Sequence, residues 1–251
     1  MLEVQAGPRR FRGVELVIFD KDGTLFDVHH YWGQMIQMRA RAFSGHVGGG
    51  ESLRAALVSA MGFDEAVARL RPEGPVGVLK RAAIVAIVRD VLATHGHRWS
   101  EAEVETVFLE IDQISEQRLG EMIKVLPGVR EFLAACQSSG TRAAIATTDK
   151  SNRARLALQV AEMEKDFVFI AGADNVSRPK PDREIADFVL SHLGVAADRA
   201  IMVGDHEVDI MVARNAGLMG AIGVATGLHG LAELNRLNDA NVENLTQLEW
   251  A

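Results

Sequence analysis

Two aspartates separated by one residue follow the first strongly apolar segment of the sequence. They are Asp20 and Asp22, in the run Asp20-Lys21-Asp22-Gly23-Thr24. One carboxylate can act as a nucleophile, and a second can give a proton to a leaving oxygen and later take one from water. The preceding run, residues 14–19, is short, contains β-branched and aromatic residues and stops at Asp and Gly, which predicts a buried strand. The carboxylate pair is therefore expected at a strand end.

Three later apolar segments are also followed by polar residues. The ligand crevice of an open α/β sheet lies beyond the carboxyl ends of its strands, so these polar residues are expected to converge there. The segments are 143–146 before Thr147, 167–170 before Arg178 and Lys180, and 200–203 before Gly204, Asp205 and Asp209.

Helix-period segments alternate with these short apolar runs in the second half of the chain. Such alternation predicts an α/β fold with a mostly parallel, Rossmann-like sheet that is covered by helices on both faces. The predicted helices cover 129–138, a segment from 152, about 183–193 and 208–215, and a further strand covers 221–224.

The stretch between the first aspartate pair and about residue 125 has a different pattern. Its apolar residues recur at helical spacing, as in 100–119, where Ser100 and Glu103 are placed to form an N-terminal capping box. Turn-rich segments at 45–50 and 71–77 separate the predicted helices. The sequence therefore predicts a core domain from residues 1–27 and 125–251, and a smaller helical cap domain from residues 28–124.

Composition limits the broad class of protein. The chain has 251 residues, enough for a core with a smaller domain, and its single cysteine excludes a disulfide framework. Cys136 is in phase with the apolar residues of a predicted helix and is expected in the core. The net charge of −7 argues against a broad basic surface for nucleic acid. Because no long apolar segment is present, the sequence predicts a soluble, cytoplasmic protein without a membrane partner.

The polar strand ends, taken together, resemble the four motifs of the haloacid dehalogenase (HAD) superfamily. Asp20-Lys21-Asp22-Gly23-Thr24-Leu25 is similar to the first motif, Thr147 to the second, Lys180 to the third, and Gly204-Asp205 with Asp209 to the fourth. The resemblance also covers residues 126–129 and 213–218. The overall layout of the chain is similar to that of phosphoglycolate phosphatase-like enzymes, which have a helical cap inserted after the first motif.

The third motif departs from the usual pattern of the family. That pattern is Lys-Pro-x-Pro, whereas this chain reads Arg178-Pro179-Lys180-Pro181-Asp182-Arg183. The proline spacing favours Arg178, but the length of chain between Lys180 and Asp205 is usual for the family and favours Lys180. Either cation can bind a phosphate oxygen, Arg as a planar fork and Lys as a point charge. Lys180 is the preferred assignment, and Arg178 is the alternative.

The resemblance implies a role for each matched residue. Asp20 would be the nucleophile that forms an aspartyl-phosphate, and Asp22 would protonate the leaving oxygen and then activate the attacking water. The implied cofactor is Mg²⁺, held by Asp20, the backbone carbonyl of Asp22 and Asp205. The remaining assignments are Thr147 and Lys180 on the phosphoryl oxygens, Asp209 outside the ligand set, and Thr24 either orienting Asp22 or closing its turn.

The implied function is hydrolysis of a small phosphorylated metabolite, phosphoglycolate-like or a sugar phosphate, by a Mg²⁺-dependent phosphatase. Asp22 argues against dehalogenation, because that reaction has no alkoxide leaving group to protonate. One alternative is a sugar phosphomutase of the β-phosphoglucomutase type, and another is a phosphonoacetaldehyde hydrolase-like enzyme in which a cap lysine such as Lys80 forms a Schiff base. Alternatives of another class are a phosphoaspartate signalling receiver, which the long insertion and Asp22 disfavour, and a catalytically silent binding protein.

Overall fold

The computed structural model describes residues 1–251 and contains one large parallel sheet. The strands of the chain are β1 (Leu2–Ala6), β2 (Arg9–Val14), β3 (Leu16–Phe19), β4 (Phe63–Asp64), β5 (Arg69–Leu70), β6 (Arg142–Ala146), β7 (Phe169–Ala171), β8 (Ala200–Gly204), β9 (Gly220–Val224), β10 (Asn241–Val242) and β11 (Glu249–Trp250). Six of them form the large sheet, in the order β10-β9-β8-β3-β6-β7, and each of its pairings is parallel.

Helices make up most of the remaining regular structure. They are α1 (Val28–Val47), α2 (Gly50–Ala60), α3 (Arg81–Thr94), α4 (Glu101–Gln117), α5 (Leu119–Met122), α6 (Val129–Ser138), α7 (Ser151–Val160), α8 (Glu184–Leu193), α9 (Glu207–Ala216) and α10 (Leu231–Leu234). None of the helices combines the length and the apolar character of a membrane-spanning segment.

Both faces of the parallel sheet are buried under helices. Alternate residues of β3 enter different apolar clusters, Val17 and Phe19 on one side and Leu16 and Ile18 on the other. Helices α6 and α7 complete the first cluster, which includes the buried Cys136, and α8 and α9 complete the second. Parallel sheets need cover on both faces, which explains the continuous apolar strands of the sequence. The predicted α/β fold is confirmed.

A second, antiparallel sheet in the order β11-β1-β2 is absent from the sequence prediction. In β1 the buried residues Leu2, Val4 and Ala6 alternate with half-buried polar ones, which is the pattern of a strand with one covered face. The single strand predicted over 14–19 is wrong at its start, because Val14 ends β2 and β3 begins at Leu16. Glu15 joins the two strands and therefore lies between two different sheets.

The chain divides into two compact units. One consists of Met1–Asp27 with Ile123–Ala251 and contains both sheets, and the other is Val28–Met122. The second unit is a bundle of α1 to α4 whose interior includes the buried rings of Phe43 and Phe108, 6.2 Å apart. It also contains the β4–β5 hairpin, which has only two residues per strand and gives no readable period in the sequence. Helix α1 continues to Val47, so the predicted turn at 45–50 is shorter than expected.

The chain leaves the sheet-containing unit and returns to it at adjacent points. The backbone N–H of Asp27 donates to the carbonyl of Lys124 at 2.8 Å, and that of Leu126 donates to the carbonyl of Leu25 at 2.9 Å. Lys124 Nζ also lies 3.3 Å from Asp27 Oδ2. The outgoing and returning segments are thus hydrogen-bonded to each other beside the first aspartate pair.

The N-terminus of α4 carries the predicted capping box. Ser100 Oγ accepts from the Glu103 N–H at 3.2 Å, and Glu103 Oε2 accepts from the Ser100 N–H at 2.7 Å. We expect Ser100→Ala to lower the free energy of unfolding by about 1 kcal/mol, because a helix N–H loses its acceptor. Urea unfolding followed by circular dichroism measures the change. Ser100→Thr retains the hydroxyl and is the control, and equal destabilisation by both variants would contradict the capping role.

Candidate active site

Three neighbouring strands bring polar residues to one edge of the parallel sheet. Strand β3 pairs with β6 on one side and β8 on the other. Asp20 follows β3, Thr147 follows β6 and Asp205 follows β8. Strand order also reverses at β3, because β6 and β7 lie on one side and β8 to β10 on the other. Open α/β sheets bind their ligands at such a switch point.

A buried lysine joins two carboxylates at this edge. Lys180 Nζ donates to Asp20 Oδ1 at 2.7 Å and to Asp209 Oδ1 at 2.6 Å, and its side chain is 1% exposed. Asp209 lies in the first turn of α9, where its Oδ2 accepts from the backbone N–H of His206 at 3.2 Å. The capping interaction that starts α9 therefore also orients the carboxylate that receives Lys180.

Asp205 is buried beside this cluster. The Thr24 hydroxyl donates to Asp205 Oδ1 at 3.2 Å, so Thr24 orients Asp205 rather than Asp22. Gly23 and Gly227 pass so close to Asp205 that a Cβ at either position would overlap its carboxylate. Gly23 also has a φ of +86°, which favours glycine. Gly227 follows β9 and matches none of the four motifs, so sequence analysis missed its part in shaping the site.

Burial and crowding of negative charge raise the pKa values of the acids. Burial raises the pKa of Asp20 to about 7, although the ion pair with Lys180 opposes the shift and the charge of Asp209 adds to it. Burial, followed by the charges of Asp20 and Asp209, raises the pKa of Asp205 well above its usual range. Burial alone would lower the pKa of Lys180, but the charges of Asp20 and Asp209 outweigh burial and raise it. These shifts favour protonated acids, because the single lysine does not balance three ionised carboxylates.

The two candidates for the third-motif cation lie in different surroundings. Arg178 is exposed, and its guanidinium lies 3.2 Å from both Asp182 and Glu184. Lys180 is buried against Asp20, as described above. The structure thus brings Lys180 to the carboxylate cluster and holds Arg178 among surface acids.

Asp22 and Thr147 make contacts that the motifs do not predict. Both carboxylate oxygens of Asp22 accept from Lys21 Nζ, at 2.6 and 2.7 Å, and the Asp22 side chain is 44% exposed. The buried Thr147 hydroxyl accepts from the backbone N–H of Asp149 at 3.1 Å. Asp22 belongs to the turn after β3, and its backbone forms an isolated β-bridge with Phe26. Its carboxylate is accessible, whereas the lysine that holds it is not.

The carboxylate cluster fits a divalent metal ion. One oxygen from each of Asp20, Asp205 and Asp209 lies within 4.8 Å of the others. Lys180 contacts two of these three buried acids, and a divalent cation would stabilise all three in their ionised form. Oxygen ligands of this kind suit Mg²⁺. Lys180 donates to both Asp20 and Asp209, and Asp205 receives the Thr24 hydroxyl instead.

Removal of one acid tests this fit without an activity assay. Mg²⁺ at 100 times its Kd is expected to stabilise the wild-type protein by about 2.7 kcal/mol, because it binds the folded state. Asp205→Asn is expected to lose most of this stabilisation, whereas Asp198→Asn, which changes an exposed acid of the same unit, is expected to retain it. Thermal unfolding with Mg²⁺ and with EDTA gives the comparison. An equal response in wild type and Asp205→Asn would contradict the assignment.

Comparison with known proteins decides the family. The family model of haloacid dehalogenase-like hydrolases matches residues 14–217, from the last residue of β2 to the residue after α9. The chain belongs to this family. The HAD-like assignment implied by the four motifs is thereby confirmed, and the signalling-receiver alternative is set aside.

Curated relatives of this HAD-like chain are phosphatases by name. It is 29% identical over 205 residues to a phosphoglycolate phosphatase of Pseudomonas savastanoi pv. phaseolicola, which covers 81% of this chain and 67% of the relative. It is 39% identical over 110 residues to the probable phosphatase IndB of Dickeya dadantii, which covers 44% of this chain and 47% of the relative. The matches thus span between about half and two thirds of these relatives.

A solved structure shares the fold over nearly the whole HAD-like chain. It is a Thermotoga maritima protein provisionally described as a beta-phosphoglucomutase, with a TM-score of 0.67 and 25% sequence identity. The match covers 92% of this chain and 95% of that chain. The similarity therefore includes both the sheet and the helical insertion.

Within the helical unit of this HAD-like chain, two arginines share one acid. Arg39 is buried, its Nη2 donates to Asp112 Oδ1 at 2.9 Å, and its guanidinium carbon lies 4.1 Å from the centre of the Phe108 ring. Arg81 pairs with the other oxygen of Asp112. Lys80, the lysine considered for Schiff-base chemistry, is exposed immediately before α3. These contacts give the two arginines a structural role inside the bundle.

Proposed function

We propose that this chain is a Mg²⁺-dependent phosphatase that hydrolyses a small phosphorylated metabolite through an aspartyl-phosphate on Asp20. The observation that carries the proposal is the contact of one buried lysine, Lys180, with Asp20 and Asp209 beside Asp205. A nucleophile, a cation and a set of metal donors at one strand edge are what phosphoryl transfer requires. The phosphoglycolate phosphatase of P. savastanoi supports a small phosphorylated acid as the substrate, and a sugar phosphate is the other class considered.

Each residue has a defined part in the proposed reaction. Asp20 attacks phosphorus while the bond from phosphorus to the leaving oxygen breaks, and Asp22 gives that oxygen its proton. Asp22 then takes a proton from a water whose oxygen attacks the same phosphorus. This second attack frees Asp20 and releases inorganic phosphate. Thr147 and Lys180 hold the phosphoryl oxygens through both steps.

The proposed metal donors are Asp20, the backbone carbonyl of Asp22, and Asp205. When bound, Mg²⁺ supplies positive charge to the phosphoryl oxygens and to the crowded carboxylates. Asp209 orients Lys180 from outside this set, and Thr24 orients Asp205 through its hydroxyl. Lys180, rather than Arg178, is proposed as the third-motif cation.

The helical insertion is proposed to select the substrate. We assign residues 1–27 and 125–251 to the catalytic core and residues 28–124 to a helical cap domain. The compact units of the structure, divided at Asp27 and Ile123, support this assignment. Loops and insertions on a rigid core are where substrate selection can vary without changing the chemistry.

The direct test is phosphate release from a panel of small phosphomonoesters. The panel includes phosphoglycolate, hexose 1-phosphates and 6-phosphates, and glycerol phosphate, each with Mg²⁺ and with EDTA. We expect release that depends on Mg²⁺ and differs between substrates. Folded protein that releases no phosphate from any ester would contradict the proposal.

The second candidate is a sugar phosphomutase, which the Thermotoga maritima structure favours. A mutase would use the same aspartyl-phosphate but return the phosphoryl group to a sugar. Conversion of a hexose 1-phosphate to its 6-phosphate without phosphate release, followed by ³¹P NMR, would identify it. The same panel therefore separates the two reactions.

A further inference from the structure

Lys21 lies between the two aspartates of the first motif and has no part in the proposed reaction. Its side chain is 6% exposed, and its Nζ contacts both oxygens of Asp22, at 2.6 and 2.7 Å. The Asp22 side chain is 44% exposed. The buried Lys21 ammonium group therefore contacts the more exposed Asp22 carboxylate.

A second carboxylate fixes the lysine from another loop. Lys21 Nζ lies 3.6 Å from Asp149 Oδ2, and Asp149 follows β6. The backbone N–H of Asp149 donates to the Thr147 hydroxyl at 3.1 Å. The Oδ1 atom of Asp149 accepts from the backbone N–H of Lys150 at 2.8 Å. Lys21 thus links the loop that carries Asp22 to the loop that carries Thr147.

We infer that Lys21 is a positioning residue that orients the Asp22 carboxyl group toward the leaving oxygen of the substrate, with Asp149 anchoring the lysine. The inference rests on the proposed phosphatase function. An exposed aspartate has freedom about two side-chain torsions, and acid catalysis is effective only within hydrogen-bond reach of the leaving oxygen. An ammonium group has three donors and no acceptor, so it can contact Asp22 and Asp149 together. When Asp22 bears the proton that it gives to the leaving oxygen, that proton is on one of its oxygens and the other oxygen accepts from Lys21. Lys21 acts through Asp22 and does not contact the reacting atoms itself.

The leaving group provides a readout that a merely structural role would not change. p-Nitrophenolate departs as a stable anion and gains little from an acid, whereas the alkoxide of glycerol phosphate needs a proton as it leaves. Lys21→Met is expected to lower kcat/KM for glycerol phosphate at least about 10-fold more than for p-nitrophenyl phosphate, because general acid catalysis is worth roughly 10²- to 10⁴-fold. Lys21→Arg, which keeps the charge, is expected to recover most of the difference.

Matched variants complete the test. Lys150→Met removes the same charge from an exposed position beside Asp149 and is expected to leave both substrates unaffected. Asp149→Asn is expected to shift the substrate ratio in the same direction as Lys21→Met by a smaller factor. In an Asp22→Asn background, Lys21→Met is expected to add no further selective loss. If Lys21→Met does not fold by circular dichroism, Lys21→Gln replaces it.

The outcomes separate this inference from the function on which it rests. Equal losses for the two esters, or no loss, would overturn the positioning role while leaving the phosphatase function intact. A selective loss that persists in the Asp22→Asn background would also overturn it, because Lys21 would then act without Asp22. A wild-type protein that hydrolyses neither p-nitrophenyl phosphate nor any ester of the panel would overturn the proposed function and this inference together.

Discussion

Asp20→Asn is expected to lower kcat for phosphate release by at least about 10⁴-fold, because the proposed nucleophile is lost while the rest of the site stays in place. The asparagine oxygen can still accept from Lys180, so the position of the lysine is retained. The substitution also removes one of three crowded buried acids, so the folded state is not expected to lose stability. Phosphate release under saturating substrate and thermal unfolding measure the two effects.

Trapping of the intermediate distinguishes nucleophilic attack from a role in metal binding alone. Acid quenching of wild type during turnover is expected to leave a phosphoryl group on Asp20, which peptide mass spectrometry locates. Asp20→Asn is expected to leave none, and Asp198→Asn, a change at an exposed acid, is expected to behave as wild type. A phosphorylated residue other than Asp20, or an active Asp20→Asn protein, would contradict the mechanism.

Lys180→Met is expected to have the largest combined effect on stability and activity. It leaves the buried carboxylates of Asp20 and Asp209 without their shared ammonium group. Loss of one partner from a buried ion pair lowers the free energy of unfolding by roughly 3–5 kcal/mol. Loss of a donor to the phosphoryl oxygens lowers kcat by roughly 10²- to 10³-fold. Urea unfolding in EDTA measures the first effect, and added Mg²⁺ is expected to restore part of the stability.

Arg178→Met is the matched control for this prediction. Arg178 is exposed and contacts surface acids, so its loss is expected to change stability by no more than about 0.5 kcal/mol. The kcat of the Arg178→Met protein is expected to stay near that of wild type. The reverse result, an inactive Arg178→Met protein and an active Lys180→Met protein, would assign the third-motif role to Arg178.

The fold could be predicted where its elements have a sequence period. The strands of the parallel sheet are buried on both faces and are therefore continuous apolar runs, and α4 begins at a capping box. The antiparallel sheet could not be predicted in the same way. Strand β11 has only two residues, and its partner β1 lies at the opposite end of the sequence. No local pattern specifies such a pairing.

The site could be predicted as a set of strand ends but not as a set of contacts. Sequence order and parallel pairing are enough to expect Asp20, Thr147 and Asp205 at one edge of the sheet. The partners of each side chain depend on torsions that the sequence does not specify. Thr24 therefore donates to Asp205, not to Asp22, and the buried Lys21 was not expected to hold Asp22.

The chain leaves the core at Asp27 and returns at Lys124, and these two points are hydrogen-bonded to each other. This arrangement affects how the segment between them can change. Two backbone hydrogen bonds join the segment that leaves the core at Asp27 to the segment that returns at Lys124. These bonds do not involve residues of the compact unit Val28–Met122. Because loop-closure entropy rises only slowly with length, an insertion at this place can grow, shrink or be exchanged with little penalty to the core. Under the proposed function, substrate preference can therefore diverge in the helical insertion while the proposed catalytic carboxylates stay at the edge of the sheet. If the insertion selects the substrate as proposed, exchange of the segment between Asp27 and Lys124 is expected to change which substrates the protein accepts.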